Sequence, residues 1–95
     1  MALIDDIKTA LRISNTAFDS EISDLISAAK KDLELSGILN VDETDPLIKR
    51  AITVYVKANF GWNNPDAEKL QQSYDMLKCH LALSQEYAEV TEDAV

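Results

Sequence analysis

This sequence predicts an all-α protein, on three observations. Only two glycines and two prolines occur in 95 residues, and three of the four sit where apolar periodicity breaks, as helix punctuation does. Within the segments so marked, apolar residues recur at three- and four-residue intervals rather than alternating. A length near 100 residues with 46% apolar side chains then gives one core and one small domain over 1–95, with its core at about 3–86 and an acidic, flexible tail at 87–95.

The first helix is expected from about Leu3 to Leu11, because Ile4, Ile7 and Leu11 share a stripe that Asp5, Asp6, Lys8 and Arg12 avoid. Ser14-Asn15-Thr16 forms a turn. Thr16 and Asp19 have the spacing of a capping box for a second helix over 17–36. Ile22, Leu25, Ile26, Ala29 and Leu33 fit one face of it, with acids early and Lys30 and Lys31 late, as the helix dipole favours. Gly37 is the natural left-handed stop.

After a loop over 38–44, Thr44 or Asp45 caps a third helix beginning at Pro46 and running to about residue 60, since proline at a first helical position loses only an unpaired N–H. Its apolar residues spread well beyond one stripe, which makes it the central helix despite a β-branched content that would also suit a buried strand. Gly61 ends it. Asn64-Pro65 repeats the cap-and-proline signal for a fourth helix to about Glu86, with Leu70, Tyr74, Leu77 and Leu81 inward. The expected core is Leu25, Ile26, Ala29, Leu47, Ala51, Val54, Leu70, Tyr74 and Leu77. Beyond it, Glu86, Glu89, Glu92 and Asp93 stand with no basic residue, so the tail from Tyr87 is expected to fray.

Nine basic against seventeen acidic residues give a net charge of −8. A general nucleic-acid binder or a partner of anionic membranes would need the opposite balance. One cysteine cannot form an intrachain disulfide, and neither a signal pattern nor an apolar run near twenty residues is present, so the chain is expected in the cytosol. Its size leaves a thin stability margin that association would help.

Reactive chemistry is hard to find. Cys79 and His80 are adjacent on a helix, about 100° apart, and cannot jointly face one metal or substrate. Asp42, Glu43 and Asp45 form an oxygen-rich loop without calcium-loop spacing. Glycine-rich phosphate loops, nucleophile elbows and zinc spacings are absent from the sequence. A helix-turn-helix reading stays open as a weaker alternative, disfavoured by charge because Asp19, Glu21 and Asp24 would meet phosphates at the recognition helix's start. No enzyme, metal or cofactor is expected. Phe60 and Trp62 flank Gly61, and Tyr87 opens the tail; packing at a helix end is the plain reading of the first two, and a subunit contact the sharper one. Lys30, Lys31, Lys49 and Arg50 are the cations that could set register against an acidic face of a neighbour.

Three blocks together resemble the small head-tail connector proteins of tailed bacteriophages, also called phage DNA packaging proteins, of the Gram-positive phage and prophage type. The first is Ile7-Lys8, Leu11-Arg12-Ile13, Asp19, Ile22, Leu25-Ile26 and Ala29. The second is Asp45-Pro46-Leu47-Ile48-Lys49-Arg50-Ala51-Ile52, continuing through Tyr55, Ala58, Asn59, Phe60 and Gly61. The third is Asn64-Pro65-Asp66-Ala67-Glu68 with Ser73-Tyr74 and Met76-Leu77.

The resemblance implies a structural virion protein that forms closed rings, usually of about twelve copies, below the portal protein of the filled head. Such a ring extends the DNA channel, through which DNA passes without sequence-specific binding, and receives the next head-completion or tail protein. It also implies residence in the host cytoplasm during assembly and at the head–tail interface afterwards, with no membrane. Many relatives end in a basic or aromatic motif, whereas this chain ends acidic. A small acidic helical regulator that binds a basic protein is the alternative from another class.

Overall fold

The computed structural model describes residues 3–38, 41–61 and 64–83, which form four helices: α1 (Leu3–Leu11), α2 (Asp19–Leu35), α3 (Pro46–Asn59) and α4 (Ala67–Leu83). The all-α expectation holds, and helix boundaries differ from it by a few residues for identifiable reasons.

α2 starts two residues later than the capping-box reading. Asn15 Oδ1 accepts the Ala17 N–H at 3.1 Å, and the Thr16 carbonyl accepts the Asp19 N–H at 3.2 Å. The Thr16–Phe18 stretch is therefore spent on a turn, and Phe18 occupies the cap position with no side-chain cap bond. Asp19 and Glu21 in the first turn supply negative charge at the N-terminus instead. At the other end Gly37 adopts φ +96°, its N–H reaching the Glu34 carbonyl at 3.0 Å while the Ile38 N–H reaches Leu33 at 3.2 Å. These two bonds define a Schellman motif, and the buried pair Leu33 and Ile38 completes it.

α1 closes in the same way without a glycine. Arg12 holds φ +61°, with its N–H on the Thr9 carbonyl at 3.0 Å and the Ile13 N–H on Lys8 at 2.9 Å. A side chain in that left-handed region costs about 1–2 kcal/mol.

Asp45 caps α3, Oδ1 accepting the N–H groups of Leu47 (2.9 Å) and Ile48 (3.3 Å), with Pro46 in the first turn as expected. The helix ends at Asn59, and Gly61 takes φ +77°. Asn64 then organises the turn into α4. Its Nδ2 donates to the Lys57 carbonyl at 2.7 Å and its Oδ1 accepts the Asp66 N–H at 3.0 Å, so Pro65 and Asp66 sit in a turn and α4 begins at Ala67 rather than Pro65. The expected continuation of α4 to Glu86 and the tail lie outside the described residues.

α3 touches α1, α2 and α4, the central position its broad apolar distribution predicts. It buries Ile48, Ala51, Ile52, Val54, Val56 and Ala58. Around them lie Leu3 and Ile7 of α1, Ile22, Ile26, Ala29 and Leu33 of α2, Ile38, and Tyr74 and Leu81 of α4. Each fully buried large aliphatic side chain contributes about 1.5–3 kcal/mol. Of the expected core, Ile26, Ala29, Ala51, Val54 and Tyr74 are buried, and Leu25, Leu70 and Leu77 pack partly buried against them. Leu47 is a correction: it is 43% exposed, because Ile48, about 100° further round the first turn, takes the inward direction.

Candidate assembly surface

The polar side chains divide between ties that hold the helices to one another and positions on the surface. Asp32 of α2 accepts the Tyr74 hydroxyl at 2.6 Å and the Lys78 ammonium at 3.0 Å, tying α2 to α4. Partial burial works to raise the Asp32 carboxyl, but those two hydrogen bonds and the Lys78 charge outweigh it and hold it below the ordinary aspartate value. Burial first, and the Asp32 carboxylate second, push the Tyr74 hydroxyl far above its ordinary range. Tyr74 also meets Tyr55 edge-on, with ring centroids 5.0 Å apart. In the loop before α3, Asp42 is lowered by the hydroxyl and backbone N–H of Thr44.

The four basic residues singled out in the sequence split into two kinds. Lys30 pairs with Glu43, and Lys49 with Asp6 at 2.9 Å, so both are used inside the chain to fasten α2 to the loop before α3, and α3 to α1. Lys8 and Asp19 make a comparable tie at 2.7 Å between α1 and α2. Lys31 and Arg50, by contrast, are exposed and make no ion pair among the described residues. Phe60 packs edge-on against Phe18 with centroids 5.5 Å apart, closing the junction between the end of α3 and the start of α2. Trp62 and Tyr87 lie outside the described residues.

The outward apolar surface concentrates on α4, where Met76 is 74% and Leu83 80% exposed. An open depression of about 360 Å3 lies there, lined by Ser73, Met76, Leu77 and His80. The exposure of Met76 and Leu83 has a signal in the sequence: both are apolar and fall off the inward stripe of Leu70, Tyr74, Leu77 and Leu81. Leu35, at the end of α2, is 76% exposed.

The described residues contain no group of three His, Cys, Asp or Glu side chains placed to hold a metal. Cys79 is exposed, and so is its neighbour His80. None of the described helices is long and apolar enough to cross a membrane. The described surface presents the unpaired cations Lys31 and Arg50 and an apolar strip on α4.

No curated protein and no solved structure matches the chain. A family model does, that of the phage connector protein, over residues 3–88. That span includes all four helices and the three blocks on which the resemblance rests, and the chain accordingly belongs to the phage connector protein family, structural proteins of the bacteriophage head–tail junction.

Proposed function

We propose that the protein forms a ring below the portal of a DNA-filled phage head, extends the DNA channel, and presents a platform to the next head-completion or tail protein. Membership of the connector family over residues 3–88 carries the reading. Two physical features support it. A domain of this size gains stability by association, and the exposed strip on α4 offers apolar area for it. A net charge of −8 suits a channel wall past which DNA slides without sticking.

The role is assembly rather than catalysis. Contacts to neighbouring copies and to the portal fall to Lys31 and Arg50, which are exposed, and to the aromatic residues Phe60, Trp62 and Tyr87. Lys30 and Lys49 act behind them by fixing the helices that carry the contacts. Exposed ion pairs contribute only about 0–1 kcal/mol each, so they set register while apolar contacts supply affinity. The protein is thus a virion component, present in the host cytoplasm while particles are built. Electron microscopy of particles produced without this protein tests the reading. Heads that leak DNA or lack tails are the expected result; stable, DNA-filled heads with tails attached would overturn it.

A further inference from the structure

α1 sits in a seat built by two other helices. Leu3 and Ile7 enter the same core cluster as Ile22 and Ile26 of α2 and Ile48 and Ile52 of α3. Two ion pairs stand beside that apolar contact: Asp6 reaches Lys49 of α3 at 2.9 Å, and Lys8 reaches Asp19 of α2 at 2.7 Å. The seat therefore selects a helix with two aliphatic side chains four residues apart, an acid just before the second and a base just after it. Leu3 also borders two open depressions, about 240 Å3 towards Ile26 and Lys30 and about 180 Å3 towards Thr44 and Lys49. Solvent thus reaches the seat beside the helix.

The link from α1 to the rest of the fold is short and strained. Phe18, against Phe60, anchors its far end, leaving residues 12–17 as the hinge. Of these, Ile13 is half-buried and the others are exposed. The N–H groups of Arg12, Ile13 and Ala17 bond to Thr9, Lys8 and Asn15, all of them close in sequence. Arg12 holds a left-handed φ of +61° without being glycine. Extended, six residues span about 20 Å, more than the roughly 14 Å length of a nine-residue helix. Opened, the hinge lets α1 clear its seat. A short hinge under strain favours exchange of the element it carries, because the open form releases the strain.

We infer that α1 is an exchangeable arm: it leaves its own seat and takes the same seat on a second copy of the chain. There Leu3 and Ile7 fill the core of the second copy, and Asp6 and Lys8 pair with its Lys49 and Asp19. The seat itself names the occupant, since every contact that holds α1 within one chain is reproduced between two. At its simplest the exchange is reciprocal and gives a dimer. The inference rests on the assembly reading above and names a segment that carries it out.

Charge reversal tests it on the full chain. Asp6→Lys sets a cation against Lys49, and Lys49→Asp sets an anion against Asp6, so each variant alone repels its own arm. Mixed, they restore both pairs only by exchanging α1. After incubation at high concentration, native mass spectrometry should find mixed dimers at least about fivefold more abundant than either homodimer. Adding Arg12→Gly to both variants, which relieves the hinge, should lower the dimer fraction by about threefold. The double variant Asp6→Lys/Lys49→Asp, with the pair restored within one chain, shows by circular dichroism and melting that the pair supports the fold. Should the single variants not fold, Lys8→Asp and Asp19→Lys pose the same question at the other tie. Monomers alone, or mixed dimers in merely random proportion, overturn the inference. Either result leaves the connector reading to its own test, since particles made without the protein report on the head–tail junction however the copies are joined.

Discussion

α3 and α4 pack against each other, yet one is interior and the other a margin. α3 turns six residues into the core and keeps Leu47 as its one strongly exposed apolar side chain, while the longer α4 buries only Tyr74 and Leu81 and leaves Met76 and Leu83 outside. The ends of α3 are closed by local chemistry, Asp45 at the start and the Phe60–Gly61 turn at the finish. α4 is positioned largely from a distance, by Asp32 on α2 and by the Asn64 bridge to Lys57. In a domain this small, one helix can be surrounded only if others are covered on one side.

The sharpest way to break the comparison is to truncate each helix at one position. Ile52→Ala on α3 should cost about 2–5 kcal/mol in denaturant unfolding, the price of a cavity beside well-packed neighbours. Met76→Gln on α4 should change stability by less than about 0.5 kcal/mol. Equal losses would mean that α4 is as enclosed as α3.

Next in size is the long-range tie. Tyr74→Phe removes a hydroxyl donated to a carboxylate and should destabilise by about 1.5–3 kcal/mol. The same variant has a pH signature. Because the folded Asp32 carboxyl lies below its ordinary value of 3.8, the unfolded chain takes up the proton first. The stabilisation is then complete above pH 4 and is lost as pH falls through the folded value. Tyr74→Phe should therefore reduce the acid-induced loss of stability below pH 4 relative to wild type, as measured by unfolding at pH 3 and pH 7.

How far the sequence reveals these features depends on their range. Asp45-Pro46, Gly37 and Gly61 are legible because each acts on its immediate neighbours. Thr16 misleads, since its spacing to Asp19 fits a capping box, while its carbonyl rather than its hydroxyl accepts the Asp19 N–H and Asn15 beside it turns the chain by accepting the Ala17 N–H. Pro65 misleads by two residues for a similar reason, Asn64 bonding both forward and back. The tie from Asp32 to Tyr74 and Lys78 spans 42 and 46 residues and has no sequence signature. Lys30 and Lys49, read in sequence as candidate outward cations, are paired inside the chain, whereas Arg50 beside one of them is not. Only the helix phase fixed by packing distinguishes them.

Smaller effects probe the helix ends. Asp45→Ala should destabilise by about 1 kcal/mol, the usual worth of an N-cap, and α2, whose Phe18 cap position makes no such bond, has no equivalent to lose. Arg12→Gly should raise stability by up to about 1 kcal/mol, because glycine relieves the left-handed backbone at the end of α1 at the cost of a more flexible unfolded chain. A melting-temperature comparison of the two variants reads both signs.

The nine-residue length of α1 has a consequence for the order in which the molecule comes apart. A helix this short does not persist in water without its neighbours. α1 is held by the burial of Leu3 and Ile7 and by the Lys8–Asp19 and Asp6–Lys49 pairs. α3 and α4 are separated by few residues in sequence and need little loop closure to meet, so they are expected to form first, with α1 docking late. Native-state hydrogen exchange should then find α1 amides opening at a lower free energy than those of α3, and raising the salt concentration should widen the gap by loosening the two ion pairs that pin the first helix down.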